Sequence, residues 1–381
     1  MRVFGMGGTL FPIVIVVLGL SCFRTGEEER LLWERTFGGS GDDIGEGIVI
    51  EGNDCVIVGH TTSFGSGGAD VYLLKVGSEG KLIWSRTLGD SGDDYGYAID
   101  RRPGGGYFIT GAITVFDSVP HQDVFVARLT SSGDTVWTRR YGGARNDVGC
   151  SIVTLDDGSA VIAGYTESFS DGKDIYLLKV KSCGDTVWTR TYNESDEDKA
   201  YGIATTPDGG FIVTGKSDGD IYLLRVDGSG GRIWSQHYGG GWSDEGRDVV
   251  STQDGYLVVG KDTRGELWPT TKRLCLLKTD GSGNSSWLNL YGSDYTDSKG
   301  YAMAKSEEGY ILVGRYGQSN ENIIVVEVGE DGGELWDEYY GGEGGERGHD
   351  VAKAGDGYLV VGYTTSYGSG GADVYLLKIE P

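Results

Sequence analysis

Residues 201–238 read YGIATTPDGGFIVTGKSDGDIYLLRVDGSGGRIWSQHY. Four short apolar runs are separated here by Asp/Gly turns. The runs are 201–205, 211–216, 221–227 and 232–238, called strands A to D. Asp208-Gly209-Gly210 joins A to B, and residues 227–231 join C to D. Gly tolerates positive φ, so both joints carry hairpin chemistry.

The unit recurs along the chain. Its markers are Trp33, Trp84, Trp137, Trp188, Trp234, Trp287 and Trp336. A Gly closes each strand B at Gly59, Gly111, Gly164, Gly215, Gly260, Gly314 and Gly362. An Asp opens strand C at Asp70, Asp123, Asp174, Asp220 and Asp373. Four strands in about 50 residues make one propeller blade. The chain begins with a lone D strand, 31–37, and ends with A, B and C strands. The first strand therefore completes the last blade and leaves no open edge. The expectation is all-β: a seven-bladed β-propeller of four-stranded antiparallel blades, residues 31–381.

The turn-and-Trp unit at Asp227 to Trp234 and at Asp280 to Trp287 resembles the blade-docking motif of pyrroloquinoline-quinone-type propellers, one residue shorter between Asp and Gly. The whole unit is similar to secreted bacterial and archaeal β-propeller repeat families. That resemblance implies fold and says almost nothing of activity. The paired neighbouring cysteines of the quinone enzymes are absent, so no cofactor is expected. Fold does not imply function.

Composition bounds the function classes. The 381 residues include 68 Gly and 23 Tyr, and the formal net charge is −24. There is no dense Lys/Arg cluster, which argues against a nucleic-acid partner. Residues 1–22 read as an export signal: Arg2 supplies the positive end, and residues 10–20 are apolar but short for a bilayer span. Gly19-Leu20-Ser21-Cys22 resembles the bacterial lipoprotein signal, which makes Cys22 the candidate lipidation site and the lipid the only membrane link. Residues 23–30 form a tether. The expected location is secreted, or cell-surface as an outer-membrane lipoprotein. Cys55, Cys150, Cys183 and Cys275 fall at unrelated repeat positions and read as separate buried thiols.

Positions that repeat in every blade are scaffold, and positions that vary are free for function. The D–A and B–C loops share one face and vary in length, so that face is the expected site. One variable ring opens strand A: Glu46, Tyr97, Cys150, Tyr201, Arg247, Tyr301 and His349. A second follows the strand-B Gly: His60, Ala112, Tyr165, Lys216, Lys261, Arg315 and Tyr363. Trp242 and Trp268 stand outside the repeat, in blade five, and are expected close together beside Arg247, Arg264 and Lys272. Exposed aromatics there suit a sugar ring or a peptide. They also suit a plain loop plug.

Asp43, Asp94, Asp147, Asp198, Asp244 and Glu346 precede strand A, with Asp297 one place early. Capping of backbone N–H groups is the favoured reading, with calcium the alternative. His349, Glu46 and Asp350 form the best catalytic trio the sequence offers. The function expected is a non-catalytic extracellular or cell-surface binding scaffold, monomeric, for a carbohydrate, peptide or protein. The binding residues expected are Trp242, Arg247, Trp268, Tyr97, Tyr201, Tyr301 and His349. The alternatives are a glycan hydrolase or lyase with a channel-mouth site and a structural module of the cell envelope.

Overall fold

The computed structural model describes residues 30–117, 119–240, 243–264 and 271–380, and every regular element among them is a strand. Strand β1 (Leu31–Phe37) stands alone at the start. Blade 1 is β2 (Asp43–Glu51), β3 (Asp54–Thr61), β4 (Asp70–Val76) and β5 (Leu82–Leu88). Blade 2 is β6 (Tyr95–Arg101), β7 (Tyr107–Val115), β8 (His121–Leu129) and β9 (Thr135–Tyr141). Blade 3 is β10 (Asp147–Thr154), β11 (Ala160–Thr166), β12 (Asp174–Val180) and β13 (Thr186–Tyr192). Blade 4 is β14 (Lys199–Thr205), β15 (Phe211–Ser217), β16 (Asp220–Val226) and β17 (Arg232–Tyr238). Blade 5 is β18 (Glu245–Ser251), β19 (Gly255–Arg264), β20 (Thr271–Asp280) and β21 (Ser285–Tyr291). Blade 6 is β22 (Ser298–Lys305), β23 (Gly309–Tyr316), β24 (Asn322–Gly329) and β25 (Glu334–Tyr340). Blade 7 is β26 (Glu346–Ala354), β27 (Gly357–Thr364) and β28 (Asp373–Ile379).

All seven sheets are four-stranded, and β1 is the fourth strand of blade 7. It pairs antiparallel with β28, with Trp33 opposite Lys378 and Phe37 opposite Val374. The chain is a closed seven-bladed β-propeller.

Seven apolar clusters hold the ring, and each draws on two adjacent blades. Most of their residues come from strands B and C, whose faces are covered on both sides. That is why those strands read as continuous apolar runs rather than alternating ones. The repeat tryptophans sit at the outer rim of these clusters. Each of the first six packs on the C–D turn Gly of the next blade, as Trp84 does on Gly133 and Trp287 on Gly332. These turn glycines have φ between +75° and +88°, which L side chains rarely adopt. A Cβ on Gly133 or Gly332 would also lie 2.7 or 2.6 Å from the indole. Conformation and contact both select Gly there. Strand D adds a clamp to the same turns: Tyr192, Tyr238 and Tyr291 donate their hydroxyls to the carbonyls of Gly230, Gly283 and Gly332.

The six acidic residues before strand A are buried, and each caps a loop backbone. Asp43 accepts from Gly39 N–H at 2.7 Å, Asp94 from Asp90 N–H at 2.8 Å and Asp147 from Gly143 N–H at 2.7 Å. Asp198, Asp244 and Glu346 do the same for Glu194, Gly240 and Gly342. Asp297 departs from the series. The register puts Ser298 at the capping place, and Asp297 instead accepts from Lys272 N–H of the preceding blade at 3.0 Å. The cysteines also depart from expectation. Cys55 and Cys275 are buried in strands, but Cys183 is exposed in the C–D turn of blade 3 and Cys150 is half-buried in the channel.

Candidate functional site

The D–A and B–C loops lie on one face, as their backbones show by bonding to each other. Thr62 N–H donates to Asp42 O at 2.7 Å, Glu167 N–H to Asn146 O at 2.8 Å and Thr365 N–H to Gly345 O at 3.0 Å. On this face the first turns of the seven A strands surround the channel mouth.

Every A strand carries a β-bulge there. Pairing skips one residue between Gly45 and Gly47, Gly96 and Ala98, Gly149 and Ser151, and Ala200 and Gly202. It skips again between Gly246 and Asp248, Gly300 and Ala302, and Gly348 and Asp350. The skipped residues are the variable ring: Glu46, Tyr97, Cys150, Tyr201, Arg247, Tyr301 and His349. A bulge leaves one residue out of the ladder and re-aims its side chain. The strand-B glycines make the bulges fit. A Cβ on Gly59 would lie 1.8 Å from Ile44 O, and one on Gly362 would lie 1.7 Å from Arg347 O. The other five meet the equivalent carbonyl at 1.8 to 2.0 Å. The most regular glycine of the repeat thus makes room for its least regular residue.

All seven ring residues line one cavity of about 680 Å³, together with Tyr165, Asp248, Lys299, Arg347 and Asp350. Five of the seven binding residues expected from sequence therefore converge: Tyr97, Tyr201, Arg247, Tyr301 and His349. Trp242, Trp268, Cys22 and the side chain of Arg264 lie outside the described residues.

The cavity has two charged poles. At the pole of blades 5 to 7, Glu245 is the hub. Its carboxylate meets Arg247 at 3.1 Å, Lys261 at 3.8 Å and Lys299 by a short ion pair. Burial opposes its ionisation, but these cations pull it down to about 2. Burial and then repulsion from Arg247 push the Lys299 ammonium down to about 7, against the pull of Glu245. The Arg247 guanidinium stacks between Tyr201 and Tyr301, 4.0 and 5.7 Å from their ring centroids. Beside it, Glu321 takes Arg315 at 2.5 Å and also Arg347.

The pole of blades 1 and 7 is built on Glu46. His349 Nδ1 lies 3.0 Å from the Glu46 carboxylate and 3.0 Å from Gly45 O. Two acceptors at one nitrogen put the proton on Nδ1 and leave Nε2 as the basic atom. His60 stands 3.8 Å from the other Glu46 oxygen. Burial alone would raise the Glu46 carboxyl, but His349, His60 and Arg247 hold it below the ordinary carboxylate value. Asp350 does not join this dyad. Its oxygens accept from Ile48 N–H at 2.8 Å and Val351 N–H at 2.7 Å, bridging blade 7 to blade 1. Asp248 bridges blades 5 and 6 in the same way through Met303 and Val249 N–H. Burial pushes Asp350 up to about 7 and Asp248 up to about 6. Of the other histidines, His121 opens β8 and lies 3.6 Å from Asp123, while His237 sits on an outer strand bonded to Ser217.

Sequence reasoning missed one ring. Two positions before each bulged residue stand Ile44, Tyr95, Val148, Lys199, Glu245, Lys299 and Arg347. The first three are apolar or aromatic and the last four are charged. The signal was available: the position aligns in every blade and changes chemistry halfway round. It was masked because six of its seven members directly follow a capping acid.

No family model matches the chain. A curated relative, the regulatory protein FlaEY of Caulobacter vibrioides, is 24% identical over 177 residues. The match covers 40% of this chain and 18% of that protein, so the chain spans under a fifth of the relative's length. Among solved structures, the Pan2 WD40 domain of Neurospora crassa matches with a TM-score of 0.53 at 11% identity, over 89% of each chain. A putative 6-phosphogluconolactonase of Bacteroides fragilis matches with a TM-score of 0.52 at 15% identity, over 81% of this chain and 89% of that one. The shared feature is the propeller. At such identities the likeness is of fold, not of site.

Proposed function

We propose that the protein is a non-catalytic binding scaffold that takes its ligand at the channel mouth of the D–A/B–C face. The supporting observation is the ring of seven bulges. An invariant device, bulge plus strand-B Gly, presents seven side chains that do not repeat. Rigid strands hold variable groups over a cavity whose volume suits a small ligand. Export to the cell surface, with Cys22 as the lipid anchor, belongs to the same proposal and rests on the sequence of residues 1–22.

Thermal-shift screening of the purified protein against sugars and peptides tests the reading, because only a ligand of the folded state raises the melting temperature. Stabilisation by a ligand that is lost in Tyr201→Ala or Arg247→Gln supports it. Ligands that stabilise both variants as they do the parent would place the site elsewhere.

The Glu46–His349 dyad favours one second reading, a hydrolase in which Nε2 of His349 takes a proton from water. Turnover of a glycan that disappears in His349→Ala, while the fold is kept, would select it.

A further inference from the structure

Resting on the channel-mouth reading, we propose that the ligand is an acidic sugar whose carboxylate is held by Arg247 and Lys299, the two cations of the Glu245 hub that line the cavity.

The charge pattern is the first reason. The whole chain carries −24, yet among the described residues five cations at the mouth (Arg247, Lys261, Lys299, Arg315 and Arg347) face three ionised carboxylates, Glu245, Glu321 and, toward Arg247, Glu46. Asp248 and Asp350 of the wall, and Asp244 near Lys261, are spent on backbone N–H groups. Unbalanced positive charge is therefore concentrated on one side of the cavity, in a chain whose charge is otherwise strongly negative. Burying cations beside one another costs free energy that an incoming anion relieves.

The shape of that pole is the second reason. Glu245 holds Arg247, Lys261 and Lys299 from behind, and Arg247 and Lys299 also line the cavity. Lys299 is only 11% exposed in its side chain, so the ligand group that reaches it must be compact. The rest of the wall supplies Tyr97, Tyr165, Tyr201 and Tyr301, whose flat faces and hydroxyls suit a pyranose ring. A cavity of about 680 Å³ has room for one or two such rings.

Lys299 gives the site a pH signature. It faces Glu245 and Arg247 of β18, Lys261 of β19, Tyr301 of its own strand and Arg315 opposite it on β23, with Arg347 of β26 beyond Tyr301. With the free ammonium at about 7, a bound carboxylate must draw a proton onto Lys299 at higher pH. Affinity then falls by up to about tenfold per pH unit above 7.

The test is calorimetric titration of the purified protein with digalacturonate, with its dimethyl ester, and with inorganic phosphate. Digalacturonate is expected to bind at least about tenfold tighter than the uncharged ester. It should bind more tightly at pH 6 than at pH 8. Lys299→Gln is expected to weaken it by about tenfold and flatten the pH dependence, and Arg247→Gln to weaken it without flattening. Circular dichroism melts confirm that the variants fold. An ester that binds as well as the acid overturns the proposal but leaves the binding-scaffold reading standing. Phosphate that binds tighter than digalacturonate overturns it in favour of a phosphate ester. No heat with digalacturonate at millimolar concentration, or unchanged affinity in folded Lys299→Gln, overturns it outright.

Discussion

Glu245 and Asp350 are both acids in the channel wall, and their surroundings drive them in opposite directions. Cations lower Glu245 to about 2, so its ionised form stabilises the fold above the ordinary carboxylate value near 4.5. That contribution is lost as pH falls toward 2. Glu245→Gln is expected to cost about 3 kcal/mol at pH 7, because it leaves three cations without their hub. Urea unfolding should show the deficit shrinking as pH falls. Asp350 is raised to about 7 by burial, so the folded state binds its proton more tightly than the unfolded chain does. Stability from this group is present at low pH and declines as pH rises through 7. Asp350→Asn should therefore melt about 1–3 °C above the parent at pH 8 and level with it at pH 4. Little of this was legible in sequence. Of the trio named from sequence, His349 and Glu46 meet in the structure, whereas Asp350 is only the neighbour of His349 in the chain. Its carboxylate turns instead to the unpaired N–H groups of the innermost strand edge.

At the scale of the element, the bulge and the strand-B Gly act as one unit. Gly362→Ala would drive a Cβ to 1.7 Å from Arg347 O, and the bulge beneath His349 must open to relieve it. The expected loss is about 1–3 kcal/mol in a denaturant melt, together with displacement of His349 and loss of ligand response. The sequence marked these glycines as scaffold, and that reading is right. What it could not show is that the scaffold glycine makes room for the variable residue, because the two lie on different strands and meet only through a register shift. The capping acids were legible, since loop carboxylates commonly hold backbone N–H groups. With at least one oxygen of each already held by a backbone N–H, we expect the melting temperature to be unmoved by calcium or by a chelator. A shift of several degrees with calcium would revive the cation reading.

At the scale of the whole molecule, closure is the decisive event. Strand β1 pairs with β28, and Glu380 N–H donates to Arg30 O at 2.8 Å. The same bond, Asp227 N–H to Gly231 O at 2.8 Å, closes the C–D turn of blade 4, where three residues intervene. The two ends of the propeller therefore stand as an interrupted C–D turn. Trp336 has no turn Gly to cover there and instead meets Arg30, at 4.2 Å, and the Glu327 carboxylate. A permutant joining Glu380 to Arg30 through Gly-Ser-Gly, and opened between Asp196 and Glu197, is expected to fold and to melt at or above the parent temperature. Deleting residues 31–37 should instead expose the edge of β28 and give aggregation on size-exclusion chromatography.

Sequence alone determined the blade count, the strand order, the closing strand and the face that varies. Those are properties of a repeat, and each repeat packs only on its neighbours. Tertiary structure decided which of the varying residues meet. Glu46 reaches His349 across the whole length of the chain, and Glu245 gathers Arg247, Lys261 and Lys299 from three strands. Ring closure sets those contacts, and side-chain charge then selects the partners within reach. The two charged poles of the channel mouth are therefore visible only in the closed ring.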